Sequence, residues 1–248
     1  MKGKAEIIWL DTVDSTQEEV RRHIRDYDNL TVVAALFQTA GKGQRGNKWS
    51  SGRGENLTFS ALLRPGCDGL REIPAKEQFY ISIVSALSVK ELLDSYGLHP
   101  TIKWPNDIYI GDRKICGMLI ENVLSASGMV EASIIGIGLN VNQTAFPPEL
   151  MNPVSMARLS HREYDIKAVL AAFTERFCEL LEVPDSELRR RYLACLYRFG
   201  VRASFSDARS GEVFSGIIRG VDGEGLLHVE MPDGTLRPFA FKEISYII

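Results

Sequence analysis

The sequence lacks any apolar run approaching the ~18 residues that a membrane-spanning helix requires, so no membrane partner is expected. The apolar stretch within Met1–Asp11 is too short for a secretory signal, and the chain reads as cytoplasmic. Cysteine is scarce: Cys67, Cys116, Cys178 and Cys195 lie far apart without a C-x-x-C pair, which argues against a disulfide framework and for reduced, buried thiols. The four histidines include no H-E-x-x-H or comparable ligand spacing, so no zinc site is expected. Positive charge is not in excess either. Lys plus Arg number 29 against 32 Asp plus Glu, a net charge of −3, which leaves no basic footprint for duplex DNA. Internal repeats and low-complexity tracts are absent.

What is present is ordinary globular composition, 45% hydrophobic over 248 residues, enough for a large core or a large core plus a small appendage. Glu6–Leu10 reads as a strand, and Asp14–Glu18 opens a helix to about Tyr27 with Ser15 and Glu18 spaced as a capping box. Thr31–Phe37 and Asn56–Leu63 are apolar, β-branched strands. Pro74–Tyr96 has helical spacing of Phe79, Ile83, Leu87 and Leu92, with Gly97 at the C-cap. Thr101–Trp104 is a short strand stopped by Pro105, and Gly111-Asp112 joins 107–110 to 114–122 as a hairpin. Met129–Val141 is a further strand, and residues 165–182 and 185–198 are two amphipathic helices. After Gly200 short alternating strands (201–205, 212–221, 226–231, 236–241) have turns at Asp222-Gly223 and Asp233-Gly234, a small β-barrel pattern. The strands are too often joined by turns for a doubly wound parallel sheet. The expectation is therefore an α+β fold, a mixed or antiparallel sheet with packed helices over residues 1–198, then a small β-barrel over 199–248.

The segment Gln38–Trp49 packs three glycines, three cations and an indole into twelve residues. Its Gly41-x-Gly43-x-x-Gly46 core fits the dinucleotide-binding pattern, but that pattern needs a helix immediately afterwards. Asn47–Asn56 is too rich in glycine and serine for one, and the acidic residue expected about 20 positions on is missing. A Walker A reading fails because Asn47-Lys48 stands where Lys-Ser/Thr belongs. What remains is chemistry: glycines allow close backbone approach to an anion, Lys42, Arg45 and Lys48 supply charge, and Trp49 offers a stacking face. A solvated surface turn would look the same on this stretch alone.

Distant segments change that balance. Lys103-Trp-Pro-Asn-Asp107 followed by Asp112-Arg-Lys-Ile-Cys-Gly-Met-Leu-Ile-Glu121 resembles the signature of biotin–protein ligases. Asp14–Gln17, the Gln38–Trp49 loop and Gly136-Ile-Gly-Leu-Asn-Val-Asn142 fall in the same family's order and spacing, so the likeness spans essentially the whole chain. The resemblance implies a class II synthetase-like catalytic domain followed by an SH3-like barrel. It also implies a two-step reaction: biotin and ATP form biotinyl-5′-adenylate and pyrophosphate, and the biotinyl group then passes to a lysine of a biotin carboxyl carrier protein. Activation is needed because a carboxylate is a poor electrophile and a free lysine, with pKa ≈ 10.4, is scarcely neutral at pH 7.

By the resemblance, Ser15, Thr16, Gln17 and Gln38 bind the biotin head, whose ureido group suits hydroxyl and amide partners. Lys42, Gly43 and Gln44 line the biotin side of the glycine loop. Arg45, Gly46, Lys48, Trp49, Asn106 and Asn140 serve ATP, with Trp49 against the adenine. Lys114, Asp107 and Arg45 are the catalytic candidates, Lys114 also contacting the biotin carboxylate and acting by charge at the α-phosphate. Asp107 is expected to orient the incoming amine. Mg²⁺ is implied with ATP, though no carboxylate cluster marks a metal site. A homodimer is compatible with the resemblance, with no residues marking an interface. The first strand begins by Glu6, so the form expected is one without the N-terminal DNA-binding domain of some relatives. Where the family commonly has Gly-Arg-Gly-Arg-x-Gly, Lys42 and Gln44 replace two arginines, and Asn47 replaces a basic residue. Competing readings are a lipoate–protein ligase or octanoyltransferase on the same fold, and a non-enzymatic biotin sensor or adaptor.

Overall fold

The computed structural model describes residues 5–248, with the side chain of Arg45 outside the described set. Seven strands build the main sheet: β1 (Ile7–Val13), β2 (Val32–Gln38), β3 (Leu57–Leu63), β4 (Thr101–Lys103), β5 (Asp107–Ile110), β6 (Arg113–Leu124) and β7 (Val130–Leu139). Their spatial order is β1-β2-β3-β7-β6-β5-β4. β1 runs parallel to β2, and every other neighbouring pair is antiparallel, so the sheet is mixed. The parallel pair is joined through α1 (Thr16–Arg22), and the β5–β6 hairpin turns at Gly111, whose φ of +57° suits glycine.

Alternation along the central strands divides the core between the two faces. Val33, Leu62 and Ile134 point to one face and meet Val20 of α1. Their neighbours Val32, Ala34, Phe59, Ala61 and Ile135 enter the main core, where Phe59 meets Phe173 edge-on at 4.8 Å. That face is covered by α2 (Phe79–Ser95), which packs on α4 (Ile166–Leu181) and α5 (Asp185–Ala194). Ser85 and Ser88 are buried in α2, yet their hydroxyls donate to the carbonyls of Ile81 and Val84, which removes the cost of burying them. Gly97, at φ +77°, donates to Asp94 O while Leu98 N reaches back to Leu93 O, the glycine stop that the sequence marks.

A second sheet of five antiparallel strands follows: β8 (Arg202–Asp207), β9 (Val213–Val221), β10 (Leu227–Glu230), β11 (Leu236–Phe239) and β12 (Ile244–Tyr246), in the order β11-β10-β9-β8-β12. Phe205, Ile218, Leu227, Val229 and Phe239 are buried. The α+β expectation is met, and several local expectations are corrected. α1 ends at Arg22 rather than near Tyr27, and its capping box does not form. Ser15 occupies the N-cap position but its hydroxyl makes no cap bond, while the Glu18 carboxylate accepts from Lys42 instead. The long helix begins at Phe79 after a separate short turn at Ala75–Glu77. α3 (Met156–Ser160) and β12 are additional elements that the sequence pattern does not mark.

Candidate active site

A cavity of about 770 Å³ opens over β3, β7 and β6, between the start of α1, the glycine loop and the end of β12. Its floor is rich in glycine. Gly117 of β6 and Gly138 of β7 are direct cross-strand partners, and Gly136 faces Leu119 two residues along. A Cβ on Gly138 would fall inside the Trp49 indole, and one on Gly136 would overlap the Gln17 carboxamide. Glycine inside a strand marks such close approach. Trp49 therefore rests on the glycine floor, beside the Lys114 side chain at Gly117. Its Nε1 is buried without a partner among the described residues.

One end of the cavity is polar and pre-arranged. Thr16 N donates to Gln38 Oε1 at 2.8 Å, and the Thr16 hydroxyl pairs with Ser60 Oγ at 2.9 Å. Ser60 reaches Gln17 Oε1 at 3.2 Å, while Gln17 Nε2 donates to Glu121 at 2.6 Å and to Ile134 O at 3.1 Å. Thr16, Gln17 and Ser60 are all buried, so this network fixes their orientations, and Ser15 is buried beside them. Sequence reasoning missed Ser60 and Glu121, because their partners lie 43 and 104 residues away.

The glycine loop doubles back on itself. Trp49 N donates to Gly41 O at 2.9 Å and Gly43 N to Asn47 O at 2.7 Å, around a short turn at Gln44–Gly46. Gly46, at φ +77°, permits the reversal. Lys42 pairs with Glu18 of α1 at 2.5 Å, so its charge is partly engaged. Gln44 Nε2 donates to Met118 O at 2.8 Å and to Asn106 Oδ1 at 3.3 Å, tying the loop tip to the sheet. Gly43 and Lys48 line the cavity with them. Arg45 falls outside the described side chains, so its expected role has no counterpart among the described geometry.

On the cavity wall the Lys114 ammonium donates to the Asp107 carboxylate at 2.8 Å. Cys116 lies buried beneath, its thiol pushed up by burial. Asn140 also lines the cavity, but its amide donates to Val154 O at 3.0 Å and its oxygen is reached by Asn56 at 3.4 Å. Asn106 is buried and meets the loop through Gln44. Lys103, the first residue of the Lys103–Asp107 motif, and the β12 residue Tyr246 also line the space; the sequence reading gave neither a site role. The strand glycines 117, 136 and 138 were the readable signal for the floor. Among the described residues no group of three or more His, Cys, Asp or Glu side chains is placed to hold a metal ion. No described helix is long and apolar enough to cross a membrane.

A mixed sheet with a glycine floor, a buried polar end and a lysine–aspartate pair beside a cationic loop defines an acyl-activating ligase architecture. The sequence model of the biotin/lipoate A/B protein ligase family matches residues 9–140, just over half of the chain, and the chain belongs to that family. It is similar to the biotin–[acetyl-CoA-carboxylase] ligase of Paracoccus denitrificans, 31% identical over 236 residues covering 89% of this chain and 92% of that protein. The bifunctional ligase/repressor BirA of Bacillus spizizenii is 30% identical over 239 residues, covering 92% of this chain and 70% of that protein. Among solved structures, the biotin protein ligase from Aquifex aeolicus in complex with biotin and ATP superposes with a TM-score of 0.79. It is 28% identical and the match covers 97% of both chains.

Proposed function

We propose that the protein is an ATP-dependent biotin–protein ligase, which forms biotinyl-5′-adenylate and transfers the biotinyl group to a lysine of a biotin carboxyl carrier domain in the cytoplasm. The observation that carries this reading is the continuity of one cavity: the polar end at Ser15–Gln38, the glycine floor and Lys114 share a single space. The named similarity to biotin ligases, one of them bound to biotin and ATP, supports it.

In this reading residues 1–198 form the catalytic unit and 199–248 the appended barrel. Ser15, Thr16, Gln17 and Gln38 would hold the ureido head, leaving the valeryl chain directed toward Lys114. A carboxylate oxygen then bonds the α-phosphorus while the α–β bridging bond breaks, its electron pair leaving on pyrophosphate. Lys114 would offset charge developing at the α-phosphate, the kind of fixed electrostatic contribution worth roughly 3–4 kcal/mol. Trp49 would separate biotin from adenine, with Lys48, Arg45, Asn106 and Asn140 on the nucleotide side. In the second step the carrier lysine attacks the acyl carbon and the bond to AMP breaks, with Asp107 orienting the amine. Mg²⁺ would travel on the ATP phosphates, as is usual for that ion. Among the described residues no group of carboxylates forms a cage for it.

Lipoate ligation is the second reading. A dithiolane ring has no ureido donors, so it would leave the buried Thr16–Gln38–Ser60 groups without a ligand partner, which is unfavourable. Biotin-dependent exchange of labelled pyrophosphate into ATP tests the proposal. Exchange that lipoate supports and biotin does not would refute it.

A further inference from the structure

Glu121 of β6 is not part of the cavity lining, yet Gln17, which is, donates to it. Glu121 and Ile134 are register partners across β6 and β7. Gln17 Nε2 bridges the pair, at 2.6 Å from the carboxylate and 3.1 Å from Ile134 O. Arg21, one turn further along α1, donates to the same Glu121 oxygen at 2.6 Å. The Arg21 and Glu121 side chains keep 46% and 39% of their exposure, so their ion pair adds little to stability. What it does is hold an acceptor-only group against one nitrogen of a buried carboxamide.

That contact gives the whole network a direction. A Gln17 amide turned the other way would set Oε1 against the Glu121 carboxylate and the Ile134 carbonyl, oxygens with no proton among them. Nε2 therefore faces the sheet edge of the contact and Oε1 faces Ser60, at 3.2 Å. The amide oxygen has no proton, so the Ser60 hydroxyl spends its own on Gln17. The Ser60 oxygen, 2.9 Å from the Thr16 hydroxyl, must then accept from Thr16. Thr16 is left with lone pairs to offer. Gln38 Oε1 is already taken by Thr16 N at 2.8 Å, which leaves the Gln38 amide nitrogen as a donor. The cavity end thus presents one acceptor and one donor, the complement of an N–H beside a C=O.

We propose that Glu121, held by Arg21, is a positioning residue that sets this hydrogen-bond direction through Gln17, Ser60 and Thr16. It touches no ligand itself. The proposal rests on the ligase reading above and deepens it, because the choice of a ureido ring over an apolar head is then governed by a carboxylate outside the cavity. Without Glu121 only Ile134 O opposes rotation of the Gln17 amide. A turned amide would reverse the Ser60 and Thr16 protons and set a donor against the ligand's N–H.

The test is calorimetric titration of the full chain with biotin, beside biotin-dependent pyrophosphate exchange on the same preparations. Glu121→Ala is expected to weaken biotin binding roughly tenfold, the effect of losing one hydrogen bond to a charged group. KM for biotin should rise with it, while kcat and KM for ATP stay within about twofold. Glu121→Gln, whose carbonyl still accepts from Gln17, should recover most of the affinity. Ser60→Ala interrupts the same relay, so the double variant with Glu121→Ala should lose far less than the product of the two single losses. Unchanged biotin affinity in Glu121→Ala, or single losses that simply multiply, overturns the proposal. A lowered unfolding midpoint with KM for ATP rising in step with that for biotin also overturns it, since Glu121 would then be structural support. The ligase reading is judged separately: a wild type that binds biotin through this relay but transfers none to a carrier would sink that reading and leave the relay standing. A wild type that binds no biotin overturns both.

Discussion

The Lys114 ammonium donates to the Asp107 carboxylate at 2.8 Å, joining β6 to β5 at the cavity wall. Both side chains keep about a quarter to a third of their exposure, at 25% for Asp107 and 32% for Lys114. A pair with that much access to water adds about 0–1 kcal/mol to stability. Its consequence is positional: the carboxylate holds the ammonium beside Gly117 and Trp49, on the cavity side.

Lys114→Met should therefore separate activity from stability. Biotin-dependent pyrophosphate release is expected to fall roughly 10²–10³-fold, the effect of removing one group that stabilises developing charge. The unfolding midpoint should barely move. Calorimetry beside a pyrophosphate assay checks this, and an activity loss that tracks a lowered midpoint would make the pair structural.

Gln44 predicts a loose hold on the intermediate. Its carboxamide ties the loop to Met118 O and Asn106 through neutral hydrogen bonds, each worth about 1 kcal/mol, and brings no charge to a phosphate. Gln44→Arg should release less free biotinyl-adenylate than the wild type, measured in the filtrate after incubation with biotin and ATP. Equal or greater release from the variant would contradict the idea.

Gly138→Ala puts a methyl group where the Trp49 indole lies. The ring must leave the floor, and adenylation should fall at least about tenfold through misplacement. The fold should survive, since Trp49 belongs to a loop and its ring can move without disturbing the strands. Tryptophan emission against Trp9 and Trp104 as internal background reports the shift; full activity with unchanged emission would refute the floor.

Asp222 makes a pH-dependent contribution to the second sheet. Burial works to raise its carboxyl, but hydrogen bonds from His228, at 2.9 Å, and from the Leu226 and Glu224 amides outweigh it and hold it below the usual range. A lowered folded value means the contribution is complete above the unfolded value of about 3.9 and fades as pH falls through the folded one. Asp222→Ala should be less stable than wild type at neutral pH, with the gap narrowing as pH falls below the unfolded carboxyl value of about 3.9 in urea titrations. A gap independent of pH would exclude the carboxylate charge as the cause.

Local chemistry in the sequence marked the β5–β6 hairpin at Gly111, the stop at Gly97 and the alternating strands beyond Gly200, since each depends on neighbouring residues. It did not mark β12, which pairs Tyr246 with Phe205 some forty residues away. Ser15 and Glu18 have capping-box spacing, but Lys42 competes for the carboxylate from a different element. The glycine loop and Lys114 were legible because they lie within motifs. Ser60 and Tyr246 were not, because each acquires its setting only through contacts across the sheets.

The central claim is transfer of biotin to protein, and intact-mass analysis of a biotin carboxyl carrier domain tests it most directly. Incubated with this protein, biotin, Mg²⁺ and ATP, the domain should gain one biotinyl group on a lysine, and none when ATP is withheld. An unmodified domain, or one that gains a lipoyl or octanoyl group in place of biotin, would contradict the account.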